Sequence, residues 1–328
     1  MLGLAFAAPV RYREFVQEDR FIEWWTVFLF LAAAIPLARR AIAQRRIFDL
    51  LIAAFCVFVA GEEFSWGQRL LGFTPPDLFL QHNTQQEFTL HNFADLFGQP
   101  KGVLMLALGG YGVVLPLLAR VPGAAHLLEH MGASSPHLSV TPWFLAAVLL
   151  LYFYPVEFTG EWVEAMAGGL FLASTRPSPR ALSLGVLTTA AAAAALTFIS
   201  ARAAQGSPAA LACARQETAA LAADLPGAAT QKLINVPGSV HKRIWTAIQD
   251  RYLYPHRFAH FQKIACATAP HYFIDPWGLA YWLRVVPMDN GALQITVYSM
   301  GPNRRRDHDP DQKPGDDIIA TAVRHDPR

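Results

Sequence analysis

The sequence predicts an all-α membrane bundle of about six transmembrane helices followed by a soluble α+β domain. Three observations predict it. Apolar residues make up 53% of the 328 positions and charged residues only 16%, with mean hydropathy +0.25, which is too apolar for an ordinary soluble protein. The imbalance is local: no lysine precedes Lys101, and Arg120, Arg176 and Arg180 are the only basic residues between Lys101 and Arg202. From Pro226 onward the pattern changes to short strand-like runs separated by turn signals. The expected division is a membrane domain over 1–204 and a soluble domain over 205–328.

A membrane helix needs about 20 mainly apolar residues. Runs of suitable character occupy 21–38, 47–61, 102–118, 140–156, 158–174 and 182–200. The first closes on Arg39-Arg40 and then Arg45-Arg46, the pattern of a retained span rather than a cleaved signal. Pro155 separates the fourth and fifth runs. Proline disrupts a helix interior, so a tight helical hairpin is expected there, with five spans as the other count. Basic residues mark the cytoplasmic ends of spans. Arg39, Arg40, Arg45 and Arg46 therefore place the first connection in the cytoplasm, together with Arg120 and the turn at 176–180. The segment 62–101, the turn 157–161 and the C-terminal domain then fall on the periplasmic side of a bacterial inner membrane. Between the second and third spans, residues 85–97 carry Phe88, Leu90, Phe93, Leu96 and Phe97 at near-helical spacing, which predicts an amphipathic helix at the interface.

After a break at 204–208, residues 209–223 read as a helix. Two strand-like runs, 279–287 and 292–300, flank Met288-Asp289-Asn290-Gly291, a hairpin turn signal. Cys213 and Cys266 both lie in the external portion, where an oxidising compartment permits a disulfide; two free thiols are the other reading. No basic face or stripe is visible, so a nucleic-acid partner is not expected. The expected partners are the lipid bilayer and an envelope or secretion-type protein.

The candidate chemistry is carried by Glu62-Glu63, two carboxylates where an apolar run is ending. Such groups normally face a protein interior or a wet cavity. In the topology above, Glu62, Glu63, Glu87, Glu157, Glu161 and Glu164 all fall at the external ends of spans or on the segment between them. Glu157, Glu161 and Glu164 share one helical face, and so do His91 and Asp95 if their segment is helical. A metal site drawn from Glu62, Glu63, His91, Asp95, Glu161 and Glu164 would offer nitrogen and oxygen ligands suited to Zn, Mn or Fe. Glu62, Glu63, His91 and Glu161 would then be catalytic residues of a metal-dependent hydrolase, with one carboxylate as general base. The alternative is a hydrogen-bonded lattice without chemistry, in which Glu62 and Glu63 pair with Gln68 and Arg69.

The run Gly61-Glu62-Glu63-Phe64-Ser65-Trp66-Gly67-Gln68-Arg69, with Asn83, Gln85, Glu87 and Leu90-His91-Asn92 after it, resembles a family of bacterial multispan membrane proteins to which no activity is assigned. Farther on, Asp275-Pro276-Trp277-Gly278, Tyr298-Ser299-Met300-Gly301 and Gly315-Asp316-Asp317-Ile318 resemble the C-terminal domain of the type II secretion major pseudopilin. That resemblance implies a calcium-binding loop, with Asp316 or Asp317 matching the family's later ligand. Asp307, Asp309 and Asp311 supply further oxygen donors of the kind that calcium prefers. Arg304-Arg305-Arg306 departs from the family's pattern. The overall expectation is an inner-membrane protein displaying a pseudopilin-like periplasmic domain for protein or envelope interaction, with a carboxylate–histidine site at the outer membrane face. The alternative is a metal-dependent enzyme acting on a lipid or lipid-linked substrate.

Overall fold

Each of the apolar runs folds as a helix, and where a run is interrupted the helix stops. The computed structural model describes residues 1–8, 12, 15–16, 21–71, 73, 75–83, 87–93, 100–156, 158–203, 207–228, 241–244, 258–264, 266, 273–289, 291–302 and 317–324. They form two compact units: Met1–Gly67 with Glu87–Ile199, and Gln68–Gln86 with Ser200–Arg328.

In the first unit, α1 (Phe21–Gln44) and α2 (Ile47–Glu63) are antiparallel neighbours joined by a turn at Arg45, which takes a left-handed backbone, φ 52°. Helix α3 begins as Pro100–Gly109, passes through one π turn at Gly110–Val114 and ends as Leu115–Leu118. Next come α4 (Thr141–Phe153), α5 (Thr159–Ser174) and α6 (Pro179–Ala203). Tyr154, left-handed at φ 44°, ends α4 just before Pro155, and Phe158, at φ 58°, opens α5. This is the hairpin that Pro155 predicted.

Small residues let the helices approach closely, the usual device where backbone contact replaces side-chain bulk. A Cβ at Gly168 of α5 would stand 2.9 Å from Leu29 Cβ of α1, and one at Gly112 would fall 2.0 Å from the Phe144 ring. The Phe171 ring is the hub of the core, with centroids 5.8, 5.6, 5.1 and 5.7 Å from Phe30, Phe55, Tyr111 and Phe144.

Among the described residues, three helices are long and apolar enough to cross a membrane: Phe21–Gln44, Lys101–Leu118 and Pro179–Phe198. This corrects the count of six. The described α2, α4 and α5 have 17, 13 and 16 residues, because Glu62-Glu63 ends one run and Pro155 divides another. Leu106, Leu117, Trp143, Tyr152, Phe153, Leu184 and Leu187 are each more than half exposed. That much outward apolar surface suits a lipid environment.

One end of this unit is tied by polar contacts. Arg40 binds buried Asp49 through two bonds, Nε to Oδ2 at 2.7 Å and Nη2 to Oδ1 at 2.9 Å. Ser134 hydrogen-bonds the same carboxylate and accepts from Arg40, and Arg176 reaches the Ser135 carbonyl at 3.4 Å. The α1–α2 turn, residues 134–135 and Arg176 therefore share one end of the bundle, the grouping expected from the distribution of arginines. The N-terminal ends of α1, α3 and α5 and the C-terminal end of α2 lie at the other.

The second unit is α+β. Strands β1 (His241–Arg243), β2 (Trp282–Pro287), β3 (Leu293–Ser299) and β4 (Ile318–Arg324) form an antiparallel sheet in sequence order. The β2–β3 register runs from Trp282 opposite Tyr298 to Pro287 opposite Leu293, the hairpin that the turn at 288–291 predicted; Gly291 supplies its positive φ of 78°. Helix α7 (Pro208–Ala228) packs Leu221, Ala222 and Leu225 into a core with Phe258, Phe261, Phe273, Tyr281, Leu283, Val285, Ile295 and Val297. The Asp275 turn and the Ser299 turn form one polar network. Asp275 Oδ1 accepts from the Trp277 and Leu279 amides at 3.0 and 2.8 Å, Oδ2 accepts from Ser299 Oγ at 2.6 Å, and Ser299 Oγ accepts from the Gly301 amide at 3.0 Å. Two sequence motifs that lie 24 residues apart thus act as a single buried turn pair.

Candidate carboxylate–histidine site

The sequence Gly61-Glu62-Glu63-Phe64-Ser65-Trp66-Gly67 builds a folded-back helix end. After α2, Ser65, Trp66 and Gly67 all have positive φ: 51°, 50° and 89°. Side-chain residues occupy that region only at a cost, and two contacts hold them there. Trp66 Nε1 donates to Glu62 Oε1 at 2.7 Å, and Ser65 Oγ donates to buried Glu87 Oε2 at 3.2 Å. The Trp66 ring lies so close over Gly61 that a Cβ there would be 2.7 Å from it. Three residues of the motif therefore have a local reason: Gly61 admits the ring, Glu62 holds it, and Gly67 completes the reversal.

Glu62 also organises the following segment. Its Oε2 accepts from the Leu90 amide at 2.6 Å and the His91 amide at 2.8 Å, and meets His91 Nδ1 at 3.2 Å. Residues Glu87 to Phe93 accordingly form bends and turns rather than the expected amphipathic helix. A helix would direct these amide N–H groups along its own axis, and here a carboxylate takes them instead. His91 lies in a turn; Asp95, expected to share a helical face with it, lies outside the described residues, as does Glu157.

Beside this turn the helix ends converge. Glu63 lies against Glu164 side chain to side chain and also faces the carboxylates of Glu161 and Glu23. Glu164 faces His91 and Lys101 in turn, and Lys101 Nζ stands 3.6 Å from the centroid of the Tyr154 ring. Two ionised carboxylates in contact repel each other, and one proton held between Glu63 and Glu164 relieves that repulsion. Glu23 is buried, whereas Glu63, Glu161 and Glu164 are each partly exposed. His91 is 40% exposed at its side chain. With Nδ1 committed to Glu62, the ring presents Nε2 as the nitrogen for a metal or substrate, as in carboxylate-oriented ligand histidines.

Of the expected site residues, the structure thus brings together Glu62 with His91, and Glu63 with Glu161 and Glu164. Sequence reasoning missed Glu23 and Lys101. Glu23 carried the same signal as Glu62, a carboxylate at the end of an apolar run. The expected calcium ligands Asp307, Asp309, Asp311 and Asp316 lie outside the described residues, and Asp317 is a buried residue immediately before β4.

Among the described residues, one grouping of three has its ligand atoms all within 4.8 Å of one another: Cys213, Glu217 and Cys266 of the second unit. The two sulfurs are bonded to each other as a disulfide, so they are not thiolate ligands. Comparison with family models, curated proteins and solved structures finds no match to this chain.

Proposed function

We propose that this chain is an integral membrane protein of the bacterial inner membrane whose helical unit houses an acid–base site at its outer face. In this reading the α+β domain stands in the periplasm and docks an envelope or secretion-type protein, as its pseudopilin resemblance suggests. The observation that carries the acid–base reading is the Glu63–Glu164 carboxyl pair beside Glu23, Glu161, His91 and Lys101. Two carboxyls that share one proton within an apolar bundle form a donor and an acceptor in a single pair. Ionisable groups kept at such depth mark proton, ion or substrate sites.

Infrared spectroscopy of the purified full-length protein tests this directly. One protonated-carboxyl band of the wild type should be lost in both Glu63→Gln and Glu164→Gln, whereas that of Glu217, whose carboxyl burial pushes up to about 7, should remain. Absence of the Glu63–Glu164 band from the wild type, or its survival in both variants, overturns the reading.

The Glu62–His91 bond favours a second, more specific reading: a metal-dependent hydrolase acting on a lipid or lipid-linked substrate. Here His91, Glu63, Glu161 and Glu164 hold Zn, Mn or Fe and Glu62 orients His91. Metal analysis of the same preparation decides it. The hydrolase reading requires stoichiometric transition metal in the wild type and its loss in His91→Ala. For the external domain, calcium should raise the melting temperature in the wild type and leave an Asp316→Ala/Asp317→Ala variant unchanged. An unshifted wild type removes calcium from the proposal.

A further inference from the structure

Cys213 and Cys266 are joined across a sequence separation of 53, with Cα atoms 5.8 Å apart. Their surroundings differ. Cys213, on α7, is 5% exposed, whereas Cys266 is open to solvent. Glu217 follows Cys213 by one helical turn on the same face and is fully buried. One of its carboxylate oxygens and both sulfurs all lie within 4.8 Å of one another. Glu217 Oε2 accepts from the Tyr281 hydroxyl. Among the described residues, Oε1 finds no hydrogen-bond partner. A buried oxygen left without a donor costs free energy, and a disulfide that serves only as a staple has no use for one.

We propose that Cys213–Cys266 is a thiol–disulfide exchange centre in which Glu217 is the proton donor and acceptor for Cys213. A thiolate RS⁻ from a small-molecule or protein thiol attacks the exposed Cys266 Sγ. The new RS–SCys266 bond forms, the Cys213–Cys266 bond breaks, and its electron pair leaves on Cys213. Glu217 passes its proton to that sulfur and becomes a carboxylate. A second thiolate R′S⁻ attacks the R sulfur of the mixed disulfide, releasing RSSR′, and the Cys266 thiolate takes a proton from solvent. Two thiols are oxidised to one disulfide while the protein's disulfide gains two electrons. In the reverse direction the Glu217 carboxylate removes the Cys213 proton and opens the way to reoxidation.

Burial pushes the Glu217 carboxyl up to about 7; the Tyr281 hydrogen bond opposes that rise and the Asp275 charge adds to it. Tyr281 and Asp275 are the other titratable groups facing it among the described residues. A group poised near neutral pH can both give and take a proton.

The test uses the full-length protein in detergent, reduced glutathione as the probe, and alkylation quench with mass spectrometry as the readout. Disulfide opening in the wild type, expressed per glutathione thiolate, should fall about tenfold as pH rises from about 6 to 8, as expected when the acid form assists. Glu217→Gln should be slow at the lower pH and flat across the range. Tyr281→Phe keeps the carboxyl and removes the hydrogen bond that lowers its pKa, so the fall should persist at higher pH. With oxidised glutathione, Cys213→Ser should trap the probe on Cys266, whereas Cys266→Ser should leave Cys213 unmodified. Parallel pH profiles for wild type and Glu217→Gln, or trapping on Cys213 in preference to Cys266, overturn the proposal.

Discussion

Replacing Glu62 by alanine removes the acceptor of the Leu90 amide, the His91 amide and Trp66 Nε1, at 2.6, 2.8 and 2.7 Å, and of His91 Nδ1 at 3.2 Å. A hydrogen bond to a charged group contributes about 1.5–3 kcal/mol. Trp66 is 40% exposed and Leu90 and His91 are partly exposed, so water replaces some of each bond and the lower end of that range applies. The three shorter bonds at that level come to about 4.5 kcal/mol. If the loss appears as local opening of residues 87–93, it corresponds to roughly two-thousandfold faster exchange at the Leu90 and His91 amides. If it spreads through the unit, Tm falls by roughly 9–18 °C, at about 2–4 °C per kcal/mol for a unit of this size. Hydrogen exchange read by mass spectrometry, with thermal unfolding of the full-length protein in detergent, distinguishes the two. Glu62→Gln should fall between, since an amide oxygen still serves the backbone donors while its NH₂ group opposes Trp66 Nε1. Unchanged amide exchange together with an unchanged Tm in Glu62→Ala would refute the role given to this carboxylate.

Three further outcomes follow from the packing and the charges. Gly112→Ala places a Cβ 2.0 Å from Phe144 and should cost about 1–3 kcal/mol by overpacking, seen as a lower Tm that Phe144→Leu partly restores. Arg40→Met leaves buried Asp49 without its two-bond partner and should cost about 3–5 kcal/mol, while Arg40→Met with Asp49→Leu costs less than the single change because no charge is then stranded. For Glu217 the folded carboxyl, at about 7, stands above its ordinary value of 4.5, so the folded chain keeps a proton that the unfolded chain has released. Stability of the α+β unit should therefore be greatest below about pH 4.5 as far as this residue is concerned, and should fall by about 3 kcal/mol as pH rises through 7. Glu217→Gln should flatten that fall, as measured by amide exchange in β2 and β3 across the same pH range.

The sequence by itself determined the elements whose cause is local. Apolar length made the helices, Pro155 divided α4 from α5, and Met288 to Gly291 made the β2–β3 hairpin. It also singled out Glu62, Glu63, Glu161 and Glu164 as candidates, because a carboxylate next to an apolar run is conspicuous in one dimension.

The tertiary structure decided what each of these groups does. Residues 85–97 have helical periodicity, yet Glu62 captures the Leu90 and His91 amides, and a charged acceptor outcompetes a marginal amphipathic helix. Glu62 and Glu63 are adjacent in the chain but successive helical side chains diverge by about 100°, so one binds the turn and the other meets Glu164. Glu23 and Lys101 join the site because the α1, α3 and α5 starts meet at one end of the bundle. Cys213 and Cys266 were a pair without a spacing rule; only the fold of the α+β unit closes 53 residues and sets Glu217 against both sulfurs. Periodicity is a property of neighbours along the chain, whereas proton sharing and sulfur pairing depend on distances through space that the packed core alone sets.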